Sequence, residues 1–109
     1  MRLLALAFAL AACAGHGGGS IDDVIGAGCT RDSDCAHRCF TGPDFPGGFC
    51  SQSCVSDSDC PDDAVCAAQA GGVCLFTCPP MDCSRLGGGW HCSDRDVTSG
   101  GKANVCNGN

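Results

Sequence analysis

Cysteine is the residue type that could do the most chemistry in this sequence. The chain has 109 residues, and 13 of them are cysteine. Clustered cysteines form disulfides or bind zinc, and structural zinc sites favour C-x2-C pairs. The short spacings between cysteines here are C-x3-C, C-x4-C and C-x5-C, and no C-x2-C pair occurs. The sequence therefore predicts disulfides, and it predicts no metal ligands and no cofactor.

Twelve of the cysteines form a threefold repeat. Cys29-TRDSD-Cys35 matches Cys54-VSDSD-Cys60, and a Gly-Gly pair precedes both Cys50 and Cys74. The third copy is looser, because its first two cysteines have four residues between them instead of five. Agreement in both spacing and intervening residues is typical of a true internal repeat. The modules are residues 29–50, 54–74 and 78–106.

Disulfide pairing within each module has three solutions. We expect the first cysteine to bond the third and the second to bond the fourth. In this arrangement the third cysteine reaches back over the Asp-Ser-Asp turn, and the Gly-Gly turn returns the fourth cysteine to the second. The expected pairs are Cys29–Cys39, Cys35–Cys50, Cys54–Cys66, Cys60–Cys74, Cys78–Cys92 and Cys83–Cys106.

Apolar residues are too few for a conventional core. After residue 12 the chain has only fourteen Leu, Ile, Val and Phe side chains, and Tyr is absent. Burial of so few groups does not offset the entropy of ordering the chain, so disulfides must supply the difference. We expect a small disulfide-rich fold of tandem four-cysteine modules, with short β-hairpins and little regular secondary structure. Short strands are expected at 49–51 and 73–76, and 21–25 is either another strand or linker.

The N-terminus has the features of a signal peptide. Arg2 precedes a ten-residue apolar run that is too short to span a bilayer. The run ends in Leu10-Ala11-Ala12-Cys13, which resembles the lipobox of bacterial lipoproteins. This resemblance implies a signal peptide at 1–12, lipidation of Cys13 and a Gly-rich tether at 13–28. Because the residue after the cysteine is Ala14, not Asp, it also implies an outer-membrane location, either periplasmic or surface-exposed.

The alternative interpretation of this N-terminus is that the protein is secreted. Ala12-Cys13-Ala14 is also a small-x-small site, at which an ordinary signal peptidase would cut after Ala14. Both readings leave twelve cysteines, an even number, in the mature chain. Both also require an oxidising compartment, since twelve paired cysteines do not persist in a reducing one.

The second module resembles several cysteine-rich families. Cys54-VSDSDCPDDAV-Cys66 is similar to the centre of whey-acidic-protein (WAP) modules, to the N-terminal region of Dickkopf proteins and to EB-type modules. WAP modules continue with an adjacent Cys-Cys pair, whereas Ala67 follows Cys66 here. The whole chain looks most like the cysteine-rich lipoproteins of some Gram-negative bacteria. A WAP-like secreted serine protease inhibitor is the alternative function, with the loop at 40–49 as a candidate inhibitory segment.

The remaining residues do not form a recognisable catalytic set. Glu is absent, no Ser or Cys lies in a nucleophile motif, and we expect no enzymatic activity. The pairs Asp32/Asp34 and Asp57/Asp59 are expected to make Asx-turns that fold the chain between two cysteines. The alternative is that each pair points its carboxylates the same way on an extended backbone and binds Ca²⁺.

A binding surface is the expected function. Phe45 and Trp90 are candidate anchors for a protein or glycan ligand, and the alternative is that both pack on the disulfides as core. Net charge is −6, with six Lys and Arg residues in total. Because those residues are scattered singly, the sequence predicts no nucleic-acid partner. The expected membrane contact is through the lipid anchor.

Overall fold

A computed structural model describes residues 21–108 as three antiparallel β-hairpins, one in each module. Short 3₁₀ turns precede the first hairpin at Asp32–Asp34, lie between successive hairpins at Asp57–Asp59 and Cys83–Leu86, and close the second hairpin at Gln69–Gly71. This confirms the expected class, a small disulfide-rich fold with short hairpins and little regular secondary structure. None of the described helices is long and apolar enough to cross a membrane. The strands are β1 (Arg38–Phe40), β2 (Phe49–Ser51), β3 (Ala64–Ala67), β4 (Val73–Phe76), β5 (His91–Asp96) and β6 (Lys102–Asn107).

Each hairpin places the third and fourth cysteines of its module directly opposite each other. The registers pair Cys39 with Cys50, Cys66 with Cys74 and Cys92 with Cys106. Residues directly opposite in an antiparallel ladder project from the same face, so both disulfides of a module leave from one face of its hairpin. This is why three sulfurs of each module lie within 4.8 Å of one another.

The described chain contains six disulfides. Each module joins its first cysteine to its third and its second to its fourth, with Cα–Cα distances between 5.3 and 5.9 Å. This is the interlaced arrangement expected from the Asp-Ser-Asp and Gly-Gly turns. The pairs are Cys29–Cys39, Cys35–Cys50, Cys54–Cys66, Cys60–Cys74, Cys78–Cys92 and Cys83–Cys106.

Successive modules join by one recurring contact. Ser53 forms an isolated antiparallel bridge with Val73, and Thr77 forms the same bridge with Val105. In both cases the residue three places after a module's last cysteine pairs with the residue just before the last cysteine of the next module. Each module therefore stacks on its neighbour in the same way, as in repeat proteins.

One hydrophobic core runs through all three modules. Phe49 at its centre is fully buried, and its ring centroid lies 6.2 Å from Phe76 of the second module and 4.9 Å from Trp90 of the third. The core cluster also includes Leu75 and Val105. The few large apolar side chains are thus pooled, and the three modules form one folded body.

Residues 21–28 belong to this folded body, which corrects the expectation of a tether over 13–28. Ile25 is 3% exposed and lies in the core. The Cys50 backbone N–H donates to the Ala27 carbonyl, as the Cys74 N–H donates to the Gln52 carbonyl one module later. Residues 21–28 therefore contact the first module in the way that the residues after the first module contact the second. Residues 1–20, with the predicted signal peptide and Cys13, lie outside the described residues.

Candidate functional site

The Asp-Ser-Asp sequence of the second module folds into a 3₁₀ turn, and both of its carboxylates bind the backbone. Asp59 Oδ2 accepts from the N–H groups of Val55 at 2.8 Å and Ser56 at 3.1 Å. Asp57 Oδ1 accepts from the Cys66 N–H at 2.8 Å, which ties the turn to β3. The turn thus fixes the position of three consecutive cysteines of the module, because Cys54, Cys60 and Cys66 flank these bonds.

The first module repeats this arrangement. Asp34 Oδ2 accepts from the Thr30 N–H at 3.0 Å, and Asp32 Oδ1 accepts from the Cys39 N–H at 2.9 Å. The aspartates therefore make the expected side-chain turns, and the backbone is not extended as the calcium alternative requires. A 3₁₀ turn rotates the two side chains apart, and each oxygen satisfies a backbone donor in the manner of an Asx-turn. Calcium binding was argued from an extended backbone, and neither module has one at these aspartates.

Hydrogen bonds lower the pKa of three aspartates, Asp34, Asp59 and Asp82. The backbone N–H of Val55 is the largest cause for Asp59 and that of Thr30 for Asp34, while the Ser84 hydroxyl is the largest cause for Asp82. A carboxyl with a lowered pKa in the folded state stabilises the fold above the ordinary aspartate pKa. That contribution disappears as the pH falls through the lowered value, because the protonated carboxyl accepts less strongly.

We therefore expect the free energy of unfolding to fall as the pH drops below about 4. Asp59→Asn keeps an acceptor oxygen but removes the charge, so this variant should be less stable than the parent chain at pH 7 and should show a smaller loss in acid. Urea unfolding between pH 7 and pH 2 measures both effects. Asp62→Asn, on the same module but outside the turn, is the matched control. If Asp59→Asn lost as much unfolding free energy between pH 7 and pH 2 as the parent chain, the Asp59 carboxylate would not contribute to the acid sensitivity.

Phe45 and Trp90 are core residues in the structure, which corrects their assignment to an exposed binding surface. They are 4% and 6% exposed, respectively. Trp90 Nε1–H donates to the Pro46 carbonyl at 2.8 Å, and the Phe45 and Phe49 rings stack with centroids 6.2 Å apart. The loop at 40–49 therefore packs onto the third module. Its aromatic side chains serve the shared core, since stacking of the modules removes them from water.

An open pocket of about 400 Å³ lies on the third module. Its walls include both residues of the Cys78–Cys92 disulfide, together with apolar residues that include Trp90. The repeat pattern did not predict this pocket. The third module differs from the other two here, because Pro-Pro-Met stands where they have the Asp-Ser-Asp turn. The lining residues are Cys78, Pro79, Met81, Asp82, Cys83, Ser84, Trp90, His91 and Cys92.

Two polar residues of this pocket bind each other. The Ser84 hydroxyl donates to Asp82 Oδ1 at 2.7 Å, and the Ser84 N–H donates to the same oxygen at 3.1 Å. Asp82 thus caps the 3₁₀ turn at Cys83–Leu86. The most reactive bond along the pocket wall is the disulfide.

The described surface presents one large hydrophobic side chain, Val55, which is 83% exposed. It follows the buried Cys54 and precedes Ser56, whose backbone is extended. Its backbone N–H is held by Asp59, so the exposed side chain stands on a fixed segment. The sequence repeat gave no sign of this residue, since Thr30 occupies the equivalent position in the first module.

Comparisons with known proteins gave no match among family models, curated proteins or solved structures. The six disulfides alone indicate an oxidising, extracytoplasmic compartment.

Proposed function

We propose that this chain is a lipid-anchored, non-enzymatic protein of the outer membrane that presents its disulfide-rich body as a binding or structural surface. The observation that carries the proposal is a lipobox-like sequence ending at Cys13, upstream of a domain closed by six disulfides. Both features belong to an exported protein, and they arise from different parts of the chain. The Ala at position 14 favours the outer over the inner membrane, as in the lipoproteins that the terminus resembles.

The distance between anchor and domain follows from where the folded body begins. Ile21 packs against the core, so the segment from Cys13 to Ile21 reaches at most about 28 Å when fully extended. The body would therefore stay close to the membrane surface. Three acyl chains meet the requirement of two or more for stable anchoring.

The surface that faces a partner would be acidic. Net charge becomes −7 when Arg2 is removed with the signal peptide, and the Asp residues of the turns are exposed. A protein or glycan with basic or hydrogen-bonding groups suits this surface, whereas nucleic acid does not. The ligand would bind by polar contacts, because the aromatic side chains are in the core.

Replacing Cys13 by serine is expected to abolish lipid attachment and move the protein from the membrane pellet to the soluble fraction. The measurement is incorporation of an alkyne-tagged fatty acid, followed by fractionation, with His16→Ala as the control that keeps the cysteine. Ala14→Asp should instead keep the lipid and shift the protein toward the inner membrane. A parent chain that carries no lipid and begins at Gly15 would contradict the proposal and support secretion.

A secreted serine protease inhibitor is the second candidate, and exposed Val55 is the observation in its favour. A fixed, exposed aliphatic side chain beside a disulfide suits a protease with a small primary specificity pocket, as in elastase. If this function holds, the chain should inhibit an elastase-type protease without being consumed, and Val55→Asp should lose that inhibition. Thr30→Asp, at the equivalent position of the first module, is the matched control. Rapid cleavage after Val55 would exclude inhibition.

A further inference from the structure

Cys92 differs from the other cysteines of the described range in being exposed. Cys35 and Cys60 are half-buried, and the remaining nine are buried. The equivalent third cysteines of the first two modules are Cys39, at 9% exposure, and Cys66, at 0%. The three modules therefore share one disulfide connectivity, but the solvent exposure of the third cysteine differs greatly between them.

The difference has a packing cause. The second module's Cys66 is covered by the tip of the third hairpin, where the Thr98 N–H donates to the Cys66 carbonyl at 3.0 Å. In the first module, Cys39 packs in a small cluster with Cys29, Cys50 and Ala27. Cys92, in the third module, is exposed and lies on the pocket wall.

We propose that the Cys78–Cys92 disulfide is a thiol-exchange site, which accepts a low-molecular-weight thiol as a mixed disulfide on Cys92. Thiolates attack disulfide sulfurs in line with the S–S bond, so the rate depends on access to the sulfur. Cys92 is exposed and both cysteines line the open pocket, so a small thiol can approach the disulfide there. Met81 and Pro79, which also line the pocket, give the carbon chain of the thiol an apolar surface to contact. This inference is independent of the lipid anchor.

The proposed step is balanced. The incoming thiol loses its proton, and its sulfur forms a new bond to Cys92 Sγ. The Cys78–Cys92 bond breaks, and its electron pair leaves with Cys78 Sγ, which takes up a proton. One thiol and one disulfide become one thiol and one mixed disulfide, with no net oxidation. A second thiol can then attack the mixed disulfide, which leaves Cys78 and Cys92 reduced and releases the oxidised small disulfide.

The test uses the intact protein and its own buried disulfides as controls. The folded chain is incubated with 2-mercaptoethanol, quenched with acid, alkylated with N-ethylmaleimide and mapped by mass spectrometry. We expect mercaptoethanol on Cys92 and maleimide on Cys78 first. Modification of Cys39 and Cys66 should be at least about tenfold slower, because those disulfides react only after local opening. Equal rates in the three modules, or earlier modification of Cys39 or Cys66, would overturn the proposal.

A double variant gives a second, independent readout. Cys78→Ala with Cys92→Ala removes the proposed site, so the rapid phase of thiol uptake should vanish while the other five disulfides stay intact over the same time. A rapid phase of the same size in this variant would also overturn the proposal.

Discussion

Replacing Cys60 and Cys74 together by alanine is expected to remove about 3 kcal/mol from the free energy of unfolding, through loss of the closed loop alone. Because Cys74 is fully buried at the centre of the stack, loss of its sulfur should cost about 1 kcal/mol more in packing. Urea unfolding at pH 7 measures the total.

The Cys78–Cys92 pair supplies a matched control for this variant. Both disulfides have a sequence separation of 14, so the chain-entropy contribution is the same for the two. Replacing Cys78 and Cys92 should therefore cost about 3 kcal/mol for the closed loop. A packing loss at Cys78 adds to this, because Cys78 is buried in the core, whereas exposed Cys92 adds little. If both double variants lost less than about 1 kcal/mol, disulfides would not be the main source of stability.

The second large effect concerns the Gly-Gly pair before Cys74. Gly72 has a φ of +109°, and a Cβ built there would overlap the backbone carbonyl of Cys54. Gly72→Ala should therefore cost roughly 3 kcal/mol or more, since left-handed strain and overpacking add. Gly71→Ala should cost only about 1 kcal/mol, because its φ is +78° but the space around it is open.

The first module repeats this contrast and serves as a replicate. A Cβ on Gly48 would overlap the Cys29 carbonyl, whereas Gly47 has open space. Gly48→Ala should therefore destabilise the fold much more than Gly47→Ala does, as measured by urea unfolding of the four single variants. Equal costs within each pair would mean that the second glycine is required only for its φ, and the close approach to the first cysteine of the module would have no energetic weight.

The local features of the fold were predictable from the sequence because they depend on neighbouring residues. Strands at 49–51 and 73–76 follow from Gly-Gly turns beside apolar residues, and the structure places β2 and β4 there. The long β5–β6 hairpin was not predicted, because its strands carry polar and charged residues without apolar alternation. Its register is fixed by tertiary contacts, such as the bridge between Val97 and Ala67.

The site was less predictable, because burial here is decided by contacts between modules. Composition identified Phe45 and Trp90 as notable residues, but the Trp90–Pro46 hydrogen bond joins segments 44 residues apart. The sequence likewise does not reveal that Cys92 is exposed, because its position in the repeat is equivalent to that of buried Cys66. The Asp-Ser-Asp and Gly-Gly turns predicted the connectivity of a module, whereas stacking of the modules decides which disulfide reaches the surface.

The most direct test of the proposed lipid anchor and of the six disulfides is the intact mass of the protein expressed with its own N-terminus in a Gram-negative host. We expect a chain that begins at Cys13, carries glycerol and three acyl chains, and lacks two hydrogens for each of six disulfides. A chain that begins at Gly15 without lipid, or that retains free thiols between Cys29 and Cys106, would contradict this expectation.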